Sequence, residues 1–368
     1  MENKNRLYVD VHVLQTVPPS CVNRDDTGSP KSALYGGASR ARVSSQSWKK
    51  AMRDMFADIF PEEDLGKRTK RIVGMVAGEI ARLGGDDSEV SAQKVLETAG
   101  LKIKSEDKGT DALFFMSTAQ ARALAKLAVE EPEVISDKTS KEAKAKAHEA
   151  LKMSPGIDIA LFGRMVADDP ALNTDACAQV AHSISTHKVN REYDYFTAVD
   201  DLAPEDNAGA GHIGTVEFNS STLYRYATVA VHDLYNNLND GTADTVCGFV
   251  HAFACSMPTG KQNTFANRTL PDAVMVTIRT DQPINLVGAF EQPVRAGKNN
   301  DEGYVAASGK AFVAHANKVY EDWLGQPDRA LVTSELLSGL GEVMPFEKLK
   351  DALKNELDKS LALGVERQ

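Results

Sequence analysis

Six basic residues and no acidic one lie between Lys31 and Arg53, in the stretch KSALYGGASRARVSSQSWKKAMR: Lys31, Arg40, Arg42, Lys49, Lys50 and Arg53. The 368-residue chain as a whole carries a net charge of −10, so this is a focused basic segment inside an acidic protein. The segment has internal order. Gly36-Gly37 marks a backbone turn that needs freedom in φ. Ser44-Ser45 offers an N-cap for a helix starting near Gln46. On that helix Gln46, Lys49, Lys50 and Arg53 share one face at i, i+3, i+4 and i+7, while Trp48, Met52, Met55 and Ile59 share another. One face packs on a core and the other presents cations and an amide. A helix N-terminus, serine hydroxyls and cations together suit a phosphate chain. A solvated amphipathic helix is the competing reading, and the pattern alone leaves both open.

Other residues are weaker candidates. Asp25-Asp26 is the one carboxylate pair beside the basic segment, in the loop that carries Arg24. An in-line RNA cleavage could use such a pair for a metal ion or for positioning, whereas carboxylates in a Pro/Gly-rich loop commonly cap turns. The eight histidines, His12, His148, His182, His187, His212, His232, His251 and His315, are scattered, and no HExxH, GxSxG or Walker A pattern is present. They read as structural or surface residues. Cys21, Cys177, Cys247 and Cys255 fit no zinc template. Neither a metal nor a cofactor is expected. Gly260-Lys261-Gln262-Asn263, a loop before a strand, suits sugar or phosphate contacts through Lys261.

The elements that must position these residues follow from periodicity. Leu7 to Leu14 alternates as a half-buried strand, followed by a Pro/Ser/Asp/Gly-rich loop and the basic segment. Residues 61–155 are rich in Ala, Lys and Glu and predict helices near 65–83, 89–99, 117–130 and 139–152, a helical insertion. The last of these carries Lys138, Lys141, Lys144, Lys146 and Lys152, a solvated face or a second nucleic-acid contact. Gly156 to Met165 (GIDIALFGRM) reads as a short apolar strand, and His182 to Val189 as helix or strand. The polar stretch YFTAVDDLAPEDNAGAGHIGTVEFNSS has Ile213 among glycines and predicts a long projecting hairpin. Leu223–Val231 reads as a strand, Thr242–Met257 as a helix, and Ala273–Arg279 and Ile284–Val294 as strands. Amphipathic helices follow around Phe312–Trp323 and Leu349–Leu361. The sum is an α+β chain whose order resembles a split βαββαβ domain. Composition is that of a globular protein, with 42% hydrophobic and 26% charged residues. The N-terminus lacks the apolar core of a signal peptide and no apolar run approaches ~20 residues. A reduced, cytoplasmic protein without a membrane span is expected.

With these blocks in place, the chain resembles a known family, the CasC-type backbone subunit of the type I-E CRISPR surveillance complex, Cascade. The resemblance is carried by PPSCVNRDDTGSPKSALYGGASRARVSSQSWKKAMR, GIDIALFGRM, AHSISTH, DYFTAVDD, HIGTVEFNSSTLYRYA and PTGKQNTFA, in the family's order from residue 18 to 266. It implies an RRM-like palm, a helical fingers insertion at 61–155 and a long thumb β-hairpin at 199–222. It also implies copies stacked along one CRISPR RNA, other Cascade subunits as partners, and a guide held for pairing with a DNA strand, with cutting left to a separate enzyme. Family positions matching Arg24, Lys31, Ser44, Gln46, Lys49 and Arg53 touch the guide backbone. Those matching Met165 and Ile213 act at a kink in the guide. One departure is visible: where relatives often carry consecutive basic residues after the double glycine, this chain has Ala38-Ser39-Arg40-Ala41-Arg42. The alternatives are an RNA-cleaving subunit of the type III kind using Asp25 or Asp26, and a structural protein that self-assembles without nucleic acid.

Overall fold

A computed structural model describes residues 6–105, 109–110, 112–136, 140–166, 169–198, 212–297 and 303–365. The chain divides into two compact units. The first comprises Met1–Met52, Val180–Thr228 and Phe249–Gln368; the second comprises Arg53–Gln179 and Val229–Gly248.

The first unit is built on a large mixed sheet. Its central strand, β1 (Tyr8–Ser20), is longer than its alternation alone implies and runs through Pro18-Pro19. The prolines lie beyond the register with Ala273–Arg279, which ends at Leu14. The sheet order is Glu342–Val343, Arg329–Val332, Ala273–Arg279, β1, His212–Ala230, Ser183–Ser185, then β3 (Ala38–Val43) and β2 (Ser32–Tyr35). β1 runs antiparallel to Ala273–Arg279, in register from Tyr8↔Arg279 to Leu14↔Ala273.

Both faces of β1 are buried, so the half-buried expectation is corrected. Val9, Val11 and Val13 pack on one face; Asp10 and His12 are buried on the other. Hydrogen bonds make this possible, since a buried polar group without a partner is costly. Tyr226 donates to Asp10 at 2.9 Å, the Ile284 amide donates to its other oxygen at 2.8 Å, and His12 pairs with the Tyr224 hydroxyl at 2.8 Å. Apolar cover comes from Leu286, Phe290, Phe312, Ala316 and Tyr320. Ile284–Val294 was expected as a strand, but a 3-10 turn at Leu286–Phe290 inserts Leu286 and Phe290 into this core. The helix expected at Phe312–Trp323 runs Tyr304–Val319 and continues as a π turn at Tyr320–Leu324.

Helix α1 (Ser45–Ile59) begins where the serine pair indicated. Ser44 is its cap: the hydroxyl accepts the Ser47 N–H at 3.4 Å. Of the apolar stripe read from spacing, Trp48 and Met52 are fully buried and Met55 and Ile59 half-buried, while Phe56, outside that stripe, is fully buried as well.

The second unit is mostly helical. Ile72–Arg82, Ser88–Thr98, Thr118–Glu130 and Lys141–Lys152 enclose a core that includes Ile72, Val76, Ile80, Val95, Leu96, Leu124 and Leu151. Ser117 and Gln120 form a reciprocal capping box at the start of the third. GIDIALFGRM is not a strand. Ile157–Phe162 is a short helix with Gly156 and Gly163 at its ends. A short apolar run does not distinguish strand from buried helix, and here Asp158 decides. Its carboxylate accepts the Gly66 N–H at 2.7 Å and an Arg53 N–H at 3.3 Å, contacts that fix the turn.

Candidate nucleic-acid interface

In the first unit, β2 and β3 form a hairpin about Gly36-Gly37, with Tyr35 opposite Ala38. Both glycines have positive φ, 55° and 71°, the two-residue turn that favours glycine. A Cβ on Gly36 would fall 1.6 Å from the Glu291 carbonyl oxygen. The basic segment is therefore a hairpin followed by a capped helix, seated on the Leu286–Glu291 turn.

A second loop is drawn against it. Asp25 organises residues 24–30: one of its oxygens accepts the Thr27 N–H at 3.0 Å, the Thr27 hydroxyl at 2.7 Å and the Ser29 N–H at 3.0 Å. Those bonds, led by the Thr27 hydroxyl, hold its carboxyl below the ordinary range. Asn23 then ties loop to helix, since its side-chain oxygen accepts the Ser44 N–H at 2.9 Å and its carbonyl accepts the Lys31 N–H at 2.9 Å. Arg24, Lys31, Arg42, Ser44 and Gln46 converge as a result. Lys31 and Arg42 line one narrow cleft with Asn23, Asn219 and Ser221. Gly260 packs against Val22, where a Cβ would lie 2.0 Å from the Val22 carbonyl oxygen. That approach brings Lys261 beside the Arg24 loop, and both cations act on the Cys21 thiol, although burial dominates and pushes it up.

The side chains differ in availability. Arg24, Gln46 and Lys50 are exposed, and Lys31, Arg42 and Lys49 are half-buried. Burial lowers the Lys49 ammonium from its ordinary value. Ser44 is buried and serves the helix. Arg40 is a correction. It was expected among the surface cations, but it is 0% exposed. Its guanidinium donates to five backbone carbonyls: Tyr35 at 3.3 Å, Ser185 at 2.8 Å, Thr186 at 2.9 Å, Phe290 at 2.8 Å and Glu291 at 3.2 Å. Five N–H donors in a planar fork suit five carbonyls at the edge of a sheet. Arg40 welds the hairpin to its neighbours and presents no charge to a ligand.

Arg42 leads to a residue that sequence reading passed over. Its Nη1 lies 3.2 Å from His182 Nδ1, and its Nε donates to the Ser32 carbonyl at 3.2 Å. Asn23 and His182 are polar residues inside quoted blocks, and only tertiary pairing singles them out.

The hairpin Glu192–Ala198/His212–Ala230 carries Ile213 opposite Thr197. Ile213 is 59% exposed, and Tyr193 and Tyr195, on the same face by the two-residue alternation, are also exposed. Residues 199–211, the rest of the expected thumb tip, lie outside the described residues.

In the second unit, Arg53 is less available than its spacing implied. Its Nε pairs with Asp158 at 3.3 Å and its guanidinium sits 4.5 Å from the Phe115 ring centre. Met165 is 85% exposed. Its neighbour explains why. Arg164 is buried and donates to the carbonyls of Phe115, Leu151 and Leu172 at 3.0–3.2 Å. Anchoring Arg164 turns Met165 outward. On the lysine-rich helix, Lys144 pairs with Asp169 at 3.0 Å and Lys146 with Glu131 at 2.5 Å; Lys138 lies outside the described residues. Among the described residues no cluster of His, Cys, Asp and Glu could hold a metal ion, and no helix is long and apolar enough to cross a membrane.

A family model described as CT1975-like protein matches residues 9–356. The chain belongs to the CT1975-like protein family. Among solved structures, it is 31% identical, with a TM-score of 0.80, to a chain of a "CRISPR RNA-guided surveillance complex, pre-nicking", covering 95% of this chain and 100% of that one. A chain of a "CRISPR RNA-guided surveillance complex" is 28% identical with a TM-score of 0.62, covering 95% of this chain and 99% of that one. No curated protein matches. The resemblance to a Cascade-type CRISPR surveillance-complex subunit drawn from the quoted motifs agrees with both kinds of match.

Proposed function

We propose that this protein is a non-catalytic, guide-RNA-holding backbone subunit of a CRISPR surveillance complex of the type I-E kind. Copies would line up along one CRISPR RNA, beside other subunits, and present the guide to a DNA strand. The observation that carries the reading is the convergence of Arg24, Lys31, Arg42, Gln46, Lys49, Lys50 and Lys261 on the loop, hairpin and helix start of one unit, in a chain of net charge −10. A guide must be held without reading its sequence, so contacts fall on phosphates and 2′-hydroxyls. Cations and short polar groups do this, and pairing with the guide supplies specificity.

The fold is consistent with an RRM-like palm. Taking β1, Ser183–Ser185, His212–Ala230 and Ala273–Arg279 as strands one to four, their order in the sheet is 4-1-3-2, that of a split βαββαβ domain. Residues 61–155 would be the fingers and the hairpin bearing Ile213 the thumb, with Ile213 of one copy wedging at a splayed nucleotide near Met165 of the next.

The reading is tested on the complex purified from its host. Extraction and sequencing of bound nucleic acid should return one class of CRISPR RNA, and nuclease treatment should collapse the particle mass. Random cellular RNA, or particles that persist without nucleic acid, would sink it. An RNA-cleaving role for Asp25 has less support, because the oxygen that organises the loop is already engaged three times. Incubation with Mg²⁺ and labelled complementary RNA should give no regularly spaced fragments.

A further inference from the structure

His182 sits where the hairpin meets the start of α1, and its position is set by two donors. Arg42 Nη1 lies 3.2 Å from Nδ1, and the Ser45 backbone N–H points at the same nitrogen from 3.3 Å. A guanidinium has no acceptor, and neither has an amide N–H. Nδ1 must therefore offer its lone pair to both. A neutral imidazole carries one proton, so that proton is on Nε2. Protonating Nδ1 would set a third donor against the other two. Burial, then the charges of Arg42 and Lys31, likewise favour the neutral ring. His182 is an exposed residue, so Nε2–H is a donor of fixed tautomer on an exposed ring beside Arg42.

We propose that His182 is a further RNA-backbone contact, a neutral imidazole whose Nε2–H donates to a phosphate oxygen or 2′-hydroxyl held next to Arg42 and Lys31. The proposal rests on the guide-holding reading above and adds a residue to it. It also assigns the contact a distinctive character. A cation that neutralises a phosphate releases counterions and steepens the salt dependence of binding; a neutral donor adds affinity and leaves that slope alone.

The test uses the full chain and a single-stranded RNA carrying the guide repeat, with binding followed across a salt series. His182→Asn keeps an acceptor near the Nδ1 position for Arg42 and Ser45 but loses the outward donor. His182→Gln supplies an amide N–H near the Nε2 position. His182→Ala loses both. Asn and Ala should bind about three- to tenfold more weakly, the scale of one neutral hydrogen bond, with unchanged salt slope, and Gln should restore binding. Melting temperatures of all three are measured to show that they fold. If Asn binds like the wild type while Gln and Ala do not, His182 only holds Arg42 in place and the proposal falls. A shallower slope in Asn and Ala would also overturn it, by showing a charged contact. Repeating the series with 2′-deoxy oligonucleotide separates the two acceptors: a loss that persists points to phosphate, and one that disappears points to the 2′-hydroxyl. Failure of the wild type to bind RNA at all would instead remove the guide-holding reading itself.

Discussion

The guanidinium of Arg225 lies 3.6 Å from the centre of the Trp48 ring, with both side chains fully buried. Its hydrogen-bond acceptors are neutral. Arg225 donates to Gln15 at 2.5 Å and to the Phe253 carbonyl, and it also faces the Phe253 ring at 4.6 Å. Burial lowers its pKa to about 9. Trp48 in turn donates to Ser183 at 2.9 Å. The helix that bears the basic face is thus fastened to the sheet by a cation stacked on an indole.

Arg225→Ala should therefore be costly. It leaves the acceptors of Gln15 and Phe253 unpaired and opens a void under Trp48, which together are worth on the order of 3 kcal/mol or more. Denaturant unfolding measures it. A loss below about 1 kcal/mol would show that water or repacking replaces the guanidinium.

Arg40 and Arg24 should separate cleanly. Arg40→Ala removes the donor shared by five carbonyls, of which that of Thr186 keeps the Val294 N–H, and should lower the melting temperature strongly, because each buried group left unsatisfied costs about 1–3 kcal/mol. Arg24→Ala should leave melting unchanged and weaken RNA binding. Equal melting temperatures for the two variants would contradict the structural role given to Arg40.

Lys49→Ala with Lys50→Ala should weaken binding to every RNA sequence alike. The salt slope should fall by roughly 0.7 for each phosphate that the variant no longer neutralises. Binding that depends on sequence, or a slope that stays put, would remove these lysines from the interface. Arg53→Ala is the useful contrast: the buried Asp158 loses its cation and keeps the Gly66 N–H, so stability should fall as well.

Acid should destabilise the first unit through His12. Burial lowers its pKa to about 3 from an ordinary 6.5. The unfolded chain binds this proton more readily, so the stability His12 contributes is present above pH 6.5 and is lost as pH falls toward 3. Asp10 acts in the opposite sense, since burial raises it to about 6 from 3.8. Protonation of its folded form offsets part of the loss between pH 6 and 3.8. In His12→Gln, of these two effects only that of Asp10 remains. The gap in melting temperature between wild type and this variant should narrow steadily from pH 7 to pH 4. A constant gap would mean that His12 titrates normally.

Ile213→Gly should leave melting almost unchanged, because the side chain is 59% exposed. It should blur regular interruptions in the nuclease footprint along a bound guide, since a wedge or stacking contact is worth ~1–3 kcal/mol per base. A markedly lower melting temperature with an intact footprint would make Ile213 an ordinary packing residue.

What the sequence by itself determined is what local spacing encodes. The serine cap, the buried stripe of Trp48 and Met52, the Gly36-Gly37 turn and most helices are set by neighbours within a turn or two. The family was legible too, because its motifs are contiguous blocks. The use of each charge was not. Arg40 and Arg42 are two residues apart in one strand and look alike, yet one is buried among carbonyls of residues 185, 186, 290 and 291 and the other meets His182. Residues i and i+2 of a strand lie on one face, so alternation does not separate these two arginines; what packs over each stretch of the strand does. The same holds for Asp10 and His12, polar by type and buried by tertiary cover, and for Gly156–Met165, whose apolar run becomes helix once Asp158 finds Gly66 and Arg53. Long-range partners decide such cases, because the free energy of a buried polar group depends on whether an acceptor or donor far along the chain arrives to meet it.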